Sequence, residues 1–167
     1  NSVSYSAKNV IAKKREELTP SFTTVFPIVY FALEKFQLEN VSGSASNWKE
    51  FGKWYYNSLL SDTEEIPEVT QQKIKSLIGN EKNPIEIAKI IYTFVQEKTR
   101  YVSVQVGIGG WKPMLAKDVD KLGYGDCKAL TNYTRSLLKM VDIPSYYTVV
   151  WAGNERRNIH EDIASIQ

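Results

Sequence analysis

The chain has 167 residues, 43% of them apolar, which is enough to bury one sizeable core with a small appendage. Its 21 basic and 19 acidic residues leave a net charge of +2 and are interspersed, which excludes a broad basic footprint for nucleic acid or an anionic membrane surface. One cysteine excludes an internal disulfide, one cysteine with one histidine is too few for a thiolate–imidazole metal site, and no apolar run reaches the ~20 residues of a bilayer span.

Asn1 opens the chain without an initiator methionine or a signal-like segment, which leaves the compartment open. The KKREE run at 13–17 cancels its own charge and reads as a solvated face. From 23 to 38, TTVFPIVYFALEKFQL is rich in β-branched and aromatic residues and broken by Pro27, which predicts one or two strands with an edge or a turn at the proline. Residues 1–40 are therefore expected to be the end of a preceding β-rich unit, or an edge strand added to the main domain. The polar ENVSGSAS at 39–46 is the linker candidate, and the main domain is expected over 41–167.

Asn47 offers an N-cap, and Trp48, Phe51, Trp54, Tyr55 and Leu59 follow at helical spacing. Residues 67–79 predict a second helix, with Pro67 near its start and Ile74, Leu77 and Ile78 as apolar positions. A third is marked by Asn83 as cap, Pro84 at the first helical position and Glu86 after it, then Ile87, Ile90, Ile91, Phe94 and Val95. After Thr99 the period changes to 2, since Val102, Val104 and Val106 alternate with Tyr101, Ser103 and Gln105, which predicts a strand from about Arg100 to the GIGG turn at 107–110. The residues from Trp111 to Gly125 read as a loop, and a helix is expected from Cys127 to about Val141. SYYTVVWA at 145–152 predicts a second strand, and the closing GNERRNIHEDIASIQ reads as a loop.

Cys127 stands at the mouth of its helix, directly after Asp126 as N-cap, where backbone N–H groups and the positive end of the helix dipole favour an anion. Such a place favours a reactive thiolate. Leu130, Thr134, Leu137, Leu138 and Val141 form the stripe expected to pack on the two strands, so a rigid element would carry the thiol. The Cys127 N–H could supply one donor of an oxyanion hole. Gly123 and Gly125 would either let a substrate backbone approach or simply make a tight turn. Asp126 opposes thiolate formation, and Lys128 partly restores it. Trp111 and Lys112 are candidates for the wall of a cleft before Cys127, with an aromatic plug on the core as the plainer role for Trp111.

A helix, a Y-V-x-V strand, a loop, then YGDCK opening a helix that ends in V-D-I-P and leads into YYTVV resembles the transglutaminase-like superfamily, over about residues 48–167. Within it the chain is most similar to the bacterial branch described as cysteine proteases, whose members follow an N-terminal β domain. The resemblance is most specific at Tyr124, Gly125, Asp126, Cys127 and Lys128; Ala129 departs from it, since an acidic residue is usual there. It implies an α+β, papain-like core with the nucleophile helix packed on an antiparallel sheet, and no cofactor. It also implies a protein or peptide substrate, an N-terminal β domain in the same polypeptide, and an exported or periplasmic location. Cys127 would attack an amide carbonyl and form an acyl-enzyme that water or an amine resolves.

The same resemblance expects a catalytic histidine at the start of a strand well after the cysteine, and an acidic or amide residue on the next strand. His160, the one histidine, comes too early and lies in a polar segment without alternation, so it fits the base poorly. The base is expected beyond Gln167, and the 167-residue chain alone is expected to be inactive. No GxxxxGK[ST] loop occurs, and GIGG lacks the strand-to-helix context of a dinucleotide fingerprint. The rival to the enzyme is an inactive domain of the same fold that binds peptide or glycan, or serves as a structural module.

Overall fold

The computed structural model describes residues 3–14, 16–20, 22–150 and 159–165, in two compact units, 1–32 and 33–167. In the first unit the one regular element among the described residues is α1, the single turn Phe22–Val25. Pro27 disfavours helical backbone at Phe26 and so stops its growth. Rings pair locally, with Phe22 stacked on Phe26 at 4.6 Å between centroids and Tyr5 edge-on to Phe31 at 6.2 Å. The strands expected over 23–38 thus reduce to residues 35–38. β propensity without a ladder partner does not hold a strand.

The second unit opens on a hairpin. β1 (Lys35–Leu38) pairs antiparallel with β2 (Val41–Ser44), Leu38 opposite Val41. Its two-residue loop places Glu39 and Asn40 at φ of 46° and 68°, and this primed turn matches the twist of the strands. ENVSGSAS is therefore a turn and a strand, not a linker, and the expected boundary at residue 40 falls inside that turn. Gly43 makes the pairing fit, because the Phe36 ring crosses it and a Cβ there would fall 2.3 Å from Phe36 Cε2.

α2 (Trp48–Tyr55) begins as expected, with Asn47 Oδ1 accepting from Glu50 N at 2.9 Å, and runs on into a π-helical turn over Tyr56–Leu60. Trp54 meets Phe36 edge-on at 4.7 Å, and its indole donates to Ser42 O at 2.9 Å, seating the hairpin on α2. With Tyr55, Leu59 and Leu60, Trp54 forms an aromatic-rich core.

α3 (Glu68–Ile78) and α4 (Pro84–Lys98) also form as expected; Asn83 Oδ1 accepts from Ile85 N at 2.9 Å. α4 buries Ile87, Ile91, Phe94 and Val95, one face at helical spacing. β3 is only Arg100–Tyr101, and it pairs in parallel with β4 (Tyr124–Gly125). Between them come a 3₁₀ turn at Gly107–Gly110 and α5 (Ala116–Leu122), which the sequence reading took as loop. With just two buried anchors, Ala116 and Val119, α5 shows almost no period in the sequence.

α6 (Cys127–Met140) buries Ala129, Asn132, Tyr133, Ser136 and Leu137. The expected stripe is displaced, since Leu130, Thr134, Leu138 and Val141 are half-buried. Polar residues enter the buried face because partners await them: Asn132 Nδ2 donates to Thr63 Oγ1 at 2.9 Å, and Ser136 Oγ to Asn132 O at 2.8 Å.

The fold therefore mixes helices with a small antiparallel pair, but that pair lies on α2. Among the described residues α6 packs against α3, α4, α5 and β4, where the sequence reading had put an antiparallel sheet. The alternating stretch 102–106 forms no strand; its last ladder bond runs from Val102 N to Gly125 O at 3.0 Å. Residues 145–150 form none either, and 151–152 lie outside the described residues. One carboxylate gathers the four helices: Asp120 of α5 accepts from Thr70 of α3 at 2.9 Å and Tyr133 of α6 at 2.5 Å, and pairs with Lys98 of α4 at 3.1 Å.

Candidate active site around Cys127

The approach to Cys127 is fixed by backbone. α5 ends at Gly123, whose φ of +67° is the left-handed conformation of a helix terminus. From there Gly123 O accepts from Arg100 N at 3.1 Å, and β4 carries the chain to Asp126. Gly123 is thus a helix stop. Gly125 is buried, and a Cβ on it would fall 2.8 Å from Ala129 Cβ, so its missing side chain lets β4 lie on α6. Tyr124, half-buried, lies opposite Arg100 in the strand pair.

Asp126 has extended backbone at φ −82° and ψ −177°, and its Oδ1 accepts from Ala129 N at 2.9 Å, which makes it the N-cap. It is 4% exposed, and its other oxygen is held by Lys128 Nζ. The lysine's charge is therefore spent on its neighbour, and seen from Cys127 the two nearly cancel. What remains beside the sulfur is the first turn of α6, whose opening N–H groups have no intrahelical acceptor. Cys127 itself is exposed and forms no disulfide.

Two tyrosines stand near this turn that the sequence reading did not assign to the site. Tyr55, on α2, donates its hydroxyl to Trp111 O at 2.7 Å. Tyr147 stacks on Tyr55 at 5.9 Å and 27°. Burial pushes the Tyr55 phenol up, against the neighbouring Tyr147 hydroxyl and with help from the Asp126 carboxylate. Tyr147 is pushed up by burial first, then by Tyr55, with Cys127 and Asp126 adding to it. Both hydroxyls thus keep their protons and remain donors at neutral pH. The available signal was chemical: a buried tyrosine needs a partner for its hydroxyl.

Trp111 packs on the aromatic core through this arrangement, and Lys112 is engaged with Asp62. His160 is exposed, and its carbonyl accepts from the Trp48 indole at 2.8 Å. Trp48 opens α2 and Tyr55 closes it, about 10 Å apart along the axis at 1.5 Å per residue. Tyr124, Gly125, Asp126 and Cys127 thus follow one another through β4 into α6, Trp111 is held by Tyr55, and His160 is tied to the far end of α2.

Among the described residues no group of three or more His, Cys, Asp or Glu side chains could hold a metal ion, and no helix is long and apolar enough to cross a membrane. Comparison of the chain with family models, with curated proteins and with solved structures returns no match in any of the three.

Proposed function

We propose that Cys127 is the nucleophile of a cysteine-dependent acyl transfer on protein or peptide amides, in a transglutaminase-like, papain-like core with α6 as its central helix. The observation that carries this reading is the placement of the one cysteine: exposed, first in a helix whose buried face anchors it to the core, behind a buried capping aspartate. The thiolate forms a C–S bond to the amide carbon, the C–N bond breaks, and the leaving amine takes a proton; water or an amine then displaces the sulfur. The Cys127 N–H is one donor for the carbonyl oxygen during attack. A base must take the thiol proton and return it to the amine. His160, anchored at Trp48, is not given that role.

The test uses p-nitrophenyl acetate on the folded chain, on the chain unfolded in urea, and on Cys127→Ser. The expected result is a stoichiometric burst of nitrophenolate with an acetyl group on the Cys127 peptide by mass spectrometry, faster folded than unfolded and absent in the serine variant. A burst of equal rate in urea, or one that survives the substitution, sinks the proposal. An unreactive folded thiol would favour the rival, an inactive binding or structural module.

A further inference from the structure

Between α2 and residues 142–149 lies an open cleft of about 890 Å³. Phe51, Tyr55 and Tyr56 form one wall, and Ile143, Tyr146 and Tyr147 the other. Cys127 does not line it, although Tyr55 and Tyr147, which stand near the thiol, belong to its two walls. Four features of the cleft restrict its occupant.

The first is volume, which falls within the range of small-molecule sites and exceeds what one side chain fills. The second is charge. Arg135 and Lys139 are both held by Glu64, each at 2.5 Å, and Asp142 supplies a second carboxylate, so the charges balance among the described residues of the cleft. The third is Ser145, a lining residue whose Oγ is turned away from the open space, buried with no hydrogen-bond partner among the described residues. A buried hydroxyl left alone is unfavourable, and rotation about χ1 toward a ligand group in the cleft removes the penalty.

The fourth is Gly52. It lies inside α2, where glycine weakens a helix, and it lines the cleft. A Cβ there would meet nothing within 4 Å. Among the described residues no packing requires a glycine at this position, and its effect is to leave the space before it open. The lining is mostly apolar, which argues against a glycan. A sugar carries a hydroxyl on almost every carbon and would lose water from most of them without replacement.

We infer that this cleft binds a small neutral molecule with two or more linked or fused aromatic rings and a single hydrogen-bonding group that pairs with Ser145 Oγ. The rings lie between the tyrosine walls, offset or edge-on as aromatic pairs prefer.

The probe for the test is N-phenyl-1-naphthylamine, a neutral two-ring amine with one N–H, whose fluorescence rises on leaving water. The full chain is expected to bind it saturably and one-to-one. Gly52→Phe, which fills the cleft from a position with free space, should weaken binding at least tenfold with the circular dichroism spectrum unchanged; Gly52→Leu serves the same purpose if the phenylalanine variant does not fold. Ser145→Ala should weaken it several-fold, and Cys127→Ser should leave it unchanged. Absence of saturable binding, wild-type affinity in a folded Gly52 variant, or tighter saturable binding of a neutral oligosaccharide overturns the inference. Retained affinity in Ser145→Ala removes the polar contact from it, and loss of binding in Cys127→Ser would show that the probe sits elsewhere.

Discussion

Tyr133→Phe tests whether the carboxylate that gathers the four helices stabilises the second unit. Tyr133 is fully buried, and its hydroxyl donates to Asp120 Oδ1 at 2.5 Å. Phenylalanine keeps the ring and removes one bond, leaving Asp120 with Thr70 and Lys98. A hydrogen bond to a charged group contributes about 1.5–3 kcal/mol, so a loss of about 2 kcal/mol is expected at pH 7. The pH dependence is the sharper part. Burial works against the charged form of Asp120, but the hydrogen bonds from Tyr133, Lys98 and Thr70 outweigh it and hold the carboxyl below the usual carboxylate range. The depressed native value means that the charge-assisted contribution is fully present above the unfolded aspartate pKa of about 3.9. It is lost as pH falls through the lower native value. Tyr133, pushed up by burial and by Asp120, stays a neutral donor throughout. In acid the bond becomes one between neutral groups, so the difference between variant and parent should shrink to about 1 kcal/mol. Urea unfolding followed by circular dichroism from pH 7 down to the lowest pH at which the parent stays folded measures this. A difference below about 0.5 kcal/mol at pH 7, or one that does not change with pH, refutes the reasoning.

Two substitutions address the start of α6. Asp126→Asn keeps an N-cap of nearly equal quality but leaves Lys128 without its partner, and because the lysine stem can swing toward water a loss of about 1–2 kcal/mol is expected. Asp126→Ala should be worse by about 1 kcal/mol for the missing cap, and equal urea midpoints for the two variants would contradict this division. Gly125→Ala places a Cβ 2.8 Å from Ala129 Cβ, so α6 must shift. Overpacking of about 1–3 kcal/mol should appear as a lower melting temperature, and an unchanged melt would show that β4 and α6 are not in close contact.

What the sequence makes legible here is local. Asn47, Asn83 and Asp126 each cap a helix because the signal and its consequence lie within three residues. Cys127 at the first position of α6 is legible for the same reason. The hairpin at 35–44 is not, because its glycine is explained by Phe36 and Trp54, which no short window connects. Alternation at 102–106 reads as a strand, yet a strand is made by its partner, and among the described residues β4 supplies one only as far as Gly125. In the site, the hydrogen bond from Tyr55 to Trp111 spans 56 residues, beyond any spacing rule. Lys128 misleads in another way: its type suggests support for a thiolate, but its charge closes on Asp126.

Because these interactions differ in reach, they separate two ways in which the site can fail. The cap, the β3–β4 pair and the contact of Gly125 with Ala129 act directly on residues 123–129, and so on where the sulfur stands. Asp120 acts on the assembly of four helices and touches none of those residues through its three bonds. Tyr133→Phe should therefore lower the urea midpoint while leaving Cys127 acylation in dilute buffer unchanged, since a molecule short of about 2 kcal/mol is still overwhelmingly folded. Gly125→Ala should change the acylation rate even where the chain stays folded. If both variants altered acylation in proportion to stability, the first turn of α6 would not be a site positioned by its own neighbourhood, and the reactivity of Cys127 would be that of any thiol exposed by unfolding.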